Sequence, residues 1–413
     1  MLEEQVLDSP TPRQRRDEVI SDLLLGQSVL WLFPRPLETR VVVNKLVAEF
    51  ESLELGRVVR VRAQNGRRPE DLLYRALSGS EPSGLPTMED LVAINQGCTV
   101  VVVEKWDNLE DQTRVRWYHL LEDNAVLVAR SVDTPREAFR FLIPAQVRST
   151  NLARPPQIPQ LGIHRYWGWL SLADLELCVR EVASQYNLSR VREKWLHTVE
   201  LHLISTDLIL LETFLDQIQG LRDLEDYMPL LRQVAHDRKW TREWLIAQGA
   251  EEFVFSDGWP SGGVQPVRPP NENLWGAGVL YWTPEFGAEL HAAALALLDR
   301  REALAWRLWR GQVATLYPVL DDMRRRLSWL VPSSLHAGET VNTREDTYEF
   351  DDLVSWLKEL RNSDRIYRDL YYCALQLRQY RNQLAHYRHL SYPEFHNFWR
   401  QVDTVVRLCA VQQ

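Results

Sequence analysis

Four valines in a row, Val100 to Val103, stand between Thr99 and Glu104. β-Branched side chains lose χ1 freedom in a helix and pack well on a pleated surface, so the run predicts a strand. It has no polar alternation, and a strand apolar on both sides must be covered on both faces. Ser28-Val29-Leu30-Trp31-Leu32-Phe33, set between Gly26 and Pro34, repeats the pattern. Val58-Val59-Arg60-Val61-Arg62 and Ala125-Val126-Leu127-Val128-Ala129-Arg130 read as two further strands. Helical spacing fills the gaps: Leu37, Val41, Leu46, Val47 and Phe50; then Glu70 to Leu77; then Asp107 to Glu122. Strands alternating with helices predict βαβ units and a parallel sheet, an α/β domain.

The first strand runs into Pro34-Arg35-Pro36-Leu37-Glu38-Thr39-Arg40. The order of elements over residues 20–150 resembles the nucleotide-binding core of the STAND branch of P-loop ATPases. That resemblance implies GxxxxGK[ST] after the first strand, where glycine amides wrap the phosphates and a lysine reaches their far end. Here there is no glycine and no Lys-Ser/Thr pair, and two prolines cannot donate an N–H. Glu104 falls where a Walker B acid would lie. Without a phosphate cradle, Glu104 and Asp107 read as the cap of a strand and the start of a helix. The resemblance is to an inactivated core, with no ATP hydrolysis and no cofactor expected.

The rest of the 413-residue chain reads as helical, apart from two stretches rich in Pro and Gly. Arg148 to Pro159 reads as a linker, as does Ser256 to Asn273. The expected division is an α/β domain over 20–150, a helical lid-like or winged-helix-like region over 160–270, and a helical bundle over 271–413. In the middle region Leu172, Leu175, Leu177, Val179 and Val182 open a helical pattern, and Trp195 to Leu215 is a long amphipathic run. His197 and His202 are five apart and fall on different helix faces, so they read as structural or surface residues.

The net charge of −9 gives the whole chain no general attraction for nucleic acid, so any such contact must be local. Cys98, Cys178, Cys373 and Cys409 are scattered, with no metal-ligand spacing, which fits a reducing, cytoplasmic setting and no metal. The first residues lack the basic start and apolar core of a signal peptide, and no apolar run spans a membrane. Sixteen tryptophans, Trp306, Trp309, Trp329 and Trp356 among them, read mostly as core.

The C-terminal segment is helical from Pro284. The expected helices are a face of Leu290, Ala294, Leu295 and Leu298; Leu304 to Leu330, broken near Pro318; Glu349 to Leu360; Arg365 to Tyr387; and His396 to Cys409. Near the end of the fourth lies Arg381-Asn382-Gln383-Leu384-Ala385-His386. An Arg, an Asn after it and a His five places on, late in an all-helical segment, resemble the R-x4-H motif of the HEPN superfamily.

That resemblance implies metal-independent RNA cleavage, with Arg381, Asn382 and His386 as catalytic residues. The chemistry needs a base for the ribose 2′-hydroxyl, a cation for the developing phosphorane charge, and a proton donor for the leaving oxygen. His386 suits the base or the acid. Arg381 suits the phosphate clamp. Asn382 suits orienting either the phosphate or the histidine. Five residues turn about 140° beyond a full helical turn, so Arg381 and His386 do not share a face of one straight helix. A site composed from two copies relieves this, which implies a homodimer or a partner HEPN chain.

Residues 361–400 carry seven arginines, no lysine and three acids, in a chain otherwise acidic. Arg378, Arg388, His389 and Tyr387 are therefore candidate RNA contacts, as against a solvated basic face with buried tyrosines. Two functions follow. One is a ribonuclease effector of a prokaryotic conflict system, with the inactive core docking a protein partner of the same system. The other is a non-catalytic adaptor in which both ancestral sites serve binding alone.

Overall fold

The computed structural model describes residues 7–33, 36–52, 56–95, 97–130, 139–146, 158–165, 170–204, 206–255, 271–283, 285–331 and 348–412. The chain divides into two compact units, Met1–Cys178 with Leu245–Leu290, and Val179–Trp244 with His291–Gln413. Residues 160–270 are shared between the two units. Both expected linkers, and Pro34-Arg35 after the first strand, lie largely outside the described residues.

In the first unit, helix α1 (Pro10–Leu24) precedes β1 (Ser28–Phe33), α2 (Pro36–Ser52), β2 (Arg57–Arg62), α3 (Pro69–Ser78), α4 (Met88–Ile94), β3 (Thr99–Glu104), α5 (Asp111–Arg130), β4 (Phe139–Gln146) and β5 (Leu161–Arg165). The strands form one sheet in the order β2-β3-β4-β1-β5, and every pair is parallel. All six residues of β1 and the first five of β3 are buried, as their unbroken apolar runs require. From β1 the chain crosses to the β2 edge, whereas from β4 it crosses past β1 to β5. Open parallel sheets commonly bind ligands at the strand carboxyl ends near such a reversal of strand order. Near that rim, Asp107 accepts a hydrogen bond from the Gln146 amide at 2.6 Å, tying the exit of β3 to that of β4. Glu104 pairs with Arg60 of β2 at 3.0 Å.

The apolar run Ala125–Arg130 is not a strand. It continues α5, whose buried residues Trp117, Leu120, Leu121, Asn124 and Ala125 repeat at helical spacing while Val126 is exposed. A short apolar run does not by itself distinguish strand from helix, and here the core contacts of the preceding turns extend the helix. The strand is instead Phe139–Gln146, disguised by Pro144. Since β4 pairs with β3 only as far as Leu142, Pro144 removes no ladder bond on that side. β5 and an antiparallel hairpin, β6 (Leu280–Thr283) with β7 (Gly287–Leu290), likewise had no helix-free signature. Leu290 thus ends a strand and does not begin a helix face.

The second unit is all helix: α6 (Arg190–Trp195), which passes through a π-helical turn at Leu196–Glu200, α7 (Leu208–Gln217), α8 (Leu224–Asp237), α9 (Ala292–Leu297), α10 (Arg301–Leu330), α11 (Phe350–Leu360), α12 (Arg365–Ala385) and α13 (Tyr392–Gln412). The 30-residue α10 packs against the π turn, α11, α12 and α13. Pro318 does not break it. Ala314, whose carbonyl loses its i+4 donor, is exposed, as is Pro318, so water can take the freed oxygen.

Beneath the π turn lies a buried polar chain. Trp195 Nε1 donates to the Tyr227 hydroxyl, which donates to Glu200 Oε1, both at 2.9 Å. Burial pushes the Glu200 carboxyl up to about 8, opposed by the Tyr227 hydrogen bond and the Arg192 charge. The folded state therefore holds a proton that the unfolded state releases. This stabilisation is complete below the ordinary carboxyl range near 4.5 and fades as pH rises toward about 8. We expect the urea midpoint of the protein to fall between pH 5 and pH 8, and Glu200→Gln to flatten that fall. Parallel pH profiles for the two proteins would remove Glu200 as the cause.

Candidate functional site

α12 is built to end sharply. Asp364 caps its start, accepting from the Ile366 amide at 3.0 Å. At its end His386 is the C-cap, and Tyr387 follows with φ 59°, the left-handed region. The Tyr387 amide donates to Leu384 O at 3.2 Å and the Arg388 amide to Gln383 O at 3.1 Å. This is a Schellman closure, whose left-handed place is usually filled by glycine. A tyrosine there costs about 1–2 kcal/mol of backbone strain.

The strain is held by side chains from α10 and α12. Trp309 Nε1 donates to Leu384 O at 2.6 Å. Gln312 brackets Leu390, donating to its carbonyl at 2.8 Å and accepting from its amide at 2.6 Å. Gln383 donates to His389 O at 3.1 Å. The loop carrying residues 386–391 is thus held by three hydrogen bonds, two at Leu390 and one at His389.

The strained Tyr387 is 68% exposed and lies against two indoles of α10. Its ring stacks on Trp306 at 5.9 Å, with 25° between planes, and meets Trp309 at 4.9 Å. Trp306 is itself 41% exposed. Trp306 is thus not core, nor is Trp329, which is 74% exposed, whereas Trp31, Trp106, Trp117, Trp195, Trp275 and Trp282 are fully buried as expected. Two exposed rings, Tyr387 and Trp306, backed by the half-buried Trp309, suit stacking with an unpaired base. The sequence carried a partial sign of it, Trp306-x-x-Trp309 on one helix face, but not its meeting with Tyr387.

The motif residues are placed as follows. His386 is exposed, and its ring has no hydrogen-bond or ion-pair partner among the described residues. Arg381 Nη1 donates to Asn382 Oδ1 at 3.3 Å, and Nη2 lies 3.8 Å from Glu349. Glu349 also faces Arg324 at 3.6 Å and caps α11. The Arg381–Glu349 pair is long and exposed at both ends, so it contributes under about 1 kcal/mol and yields readily to a phosphate.

The other candidate RNA contacts divide. Arg388 is exposed with no carboxylate partner among the described residues. Arg378 pairs with Asp351 of α11 at 2.9 Å, and His389 lies 3.5 Å from Asp223. The structure therefore sets Tyr387, between His386 and Arg388 in the chain, against the two tryptophans, and draws Arg378 and Arg381 toward the acidic start of α11. Among the described residues no group of His, Cys, Asp and Glu is placed to hold a metal, and no helix is long and apolar enough to cross a membrane.

Compared with protein-family models and with curated proteins, the sequence finds no match.

Proposed function

We propose that the protein is a HEPN-like ribonuclease effector of a prokaryotic conflict or signalling system, acting in the cytoplasm. In this reading the parallel-sheet unit is a STAND-like core that has lost its phosphate loop and docks a protein partner. The helical unit cleaves RNA without metal, as a homodimer. The observation that carries the reading is the end of α12: an exposed, unpartnered His386 on a loop held by three hydrogen bonds, beside a strained tyrosine that presents its ring outward. His386 exchanges the proton, Arg381 receives the phosphorane charge once Glu349 is displaced, and Asn382 holds the Arg381 guanidinium. The test is RNA degradation by the purified protein in chelator, compared with His386→Ala.

Tyr387 supplies an independent check. Tyr387→Gly keeps the left-handed closure and removes the ring. We expect affinity for a single-stranded RNA to fall about 10-fold, within the range of one lost base stack, while thermal stability changes little. Unchanged affinity with a large fall in melting temperature would mark the ring as packing alone.

The adaptor reading is favoured by one observation, the approach of Arg381 to Glu349 within the same unit. It predicts a stable protein partner and equal RNA turnover by the protein and by His386→Ala.

A further inference from the structure

The α13 end of the helical unit holds a second concentration of donors that the R-x4-H motif does not include. A cleft of about 510 Å³ is lined by Arg222, Tyr392, Pro393, His396, Asn397 and Arg400. Tyr392, His396 and Arg400 recur every four residues along α13, so one helix face supplies most of the lining. Arg222 comes from the turn before α8 and is fixed there, since its carbonyl accepts from the Tyr392 amide at 2.9 Å.

No acid lines the cleft. Arg222, His396 and Arg400 are exposed and have no carboxylate partner among the described residues. Arg400 donates only to the neutral side-chain oxygen of Asn397. Of the acids close in the chain, Asp226 accepts from the amides of Arg222 and Asp223, Asp223 from the Leu224 amide, and Glu394 from the Ser391 amide and hydroxyl, while Asp403 acts on Lys194.

A third guanidinium lies behind the cleft. Arg192 is buried, donates to Leu221 O at 2.7 Å, and sits 4.1 Å from the Tyr392 ring centroid. Glu200 feels its charge, and burial raises that carboxyl to about 8. Arg222, His396 and Arg400 thus offer exposed donors to the cleft, while Asn397 and Arg192 are bonded within the unit. Guanidinium forks match phosphate oxygens.

We propose that the Arg222–His396–Arg400 cleft binds a backbone phosphate of single-stranded RNA. It would act as a second anchor for the RNA whose cleavage we assign to His386, and in that sense it rests on that reading. A phosphate-bearing polymer is favoured over an acidic peptide because the cleft belongs to the same helical unit as His386, whose substrate we assign as RNA.

The experiment measures binding of a labelled single-stranded RNA 12-mer to the full chain across a salt series. Inorganic phosphate is the competitor and a Glu-rich 12-residue peptide a parallel probe. The proteins are wild type, Arg222→Gln/Arg400→Gln and Arg222→Lys/Arg400→Lys. Both sites are exposed, so the variants should melt as the wild type does. The Gln pair should weaken RNA binding at least 10-fold and shrink the log–log salt slope by about 1.4, some 0.7 for each lost phosphate contact. The Lys pair should keep most of that slope, and millimolar phosphate should compete only where the arginines are present. RNA affinity and slope unchanged in the Gln pair would overturn the proposal. So would arginine-dependent binding of the peptide without binding of RNA. His386→Ala separates the two assignments. If no RNA is cleaved but the arginine-dependent binding stands, the nuclease fails and the cleft survives. If cleavage and affinity both survive the Gln pair, the cleft fails.

Discussion

His386→Ala should reduce metal-free RNA cleavage by about 10²–10⁴-fold, the usual contribution of a positioned acid or base. The step requires a proton to leave the ribose 2′-hydroxyl as O2′ bonds to phosphorus. A proton must then reach O5′ as the P–O5′ bond breaks, leaving a 2′,3′-cyclic phosphate and a 5′-hydroxyl. An exposed imidazole with no competing partner is free to take either role. Arg381→Ala should cost less than His386→Ala, on the order of 10²-fold for the loss of one charge-stabilising donor. The proposed dimer adds a sharper test. If one copy's Arg381 works with the other's His386, mixing the two inactive variants should restore activity, since a mixed pair contains one intact site. A mixture as inactive as its components would place both residues in the same copy or outside catalysis, and equal rates for His386→Ala and wild type would remove the histidine altogether.

Gly311→Ala should destabilise the helical unit strongly, against the ordinary preference of helices. In an exposed helix interior this exchange gains about 1 kcal/mol. Here a Cβ on Gly311 would fall 2.0 Å from Thr198 O and 2.4 Å from His202 Cδ2. The first of these is backbone of the π turn, which cannot rotate aside. α10 approaches that turn so closely because residue 311 has no side chain. Overpacking of this kind costs about 3 kcal/mol, at the upper end of the usual range. At roughly 2–4 °C per kcal/mol for a unit of this size, the melting temperature should fall about 10 °C. The sign is decisive, because a higher melting temperature for Gly311→Ala would mean the two backbones are not in contact.

What the sequence showed and what it hid follow from the range of the forces involved. β1 and β3 were legible because a strand covered on both faces needs an unbroken apolar run. Ala125–Arg130 has the same composition, yet the helix before it, anchored by Trp117 and Leu121, sets its conformation. β4 was hidden by a proline that removes no bond on the β3 side, because the pairing of β3 with β4 ends at Leu142. In the helical unit, periodicity located α11 and α12 within a residue or two, and the motif stood out within six positions. The partners of its residues did not. Glu349, Asp351, Trp306 and Trp309 lie on other helices, and only tertiary packing brings them to Arg381, Arg378 and Tyr387. The left-handed Tyr387 was invisible for a related reason: a bulky residue is tolerated there only because the surrounding contacts outweigh its cost.

The first unit takes residues from two separated stretches, Met1–Cys178 and Leu245–Leu290. A ribosome therefore finishes that unit only after the whole intervening stretch has emerged. At roughly 5–20 residues per second, residues 179–290 take on the order of ten seconds. Throughout that interval the nascent sheet unit lacks its β6–β7 hairpin, and part of the helical unit is already outside the exit tunnel. Chaperone demand during synthesis should be greatest in this window, and a slow-translating stretch placed before residue 290 should lower the soluble yield more than the same stretch placed after it.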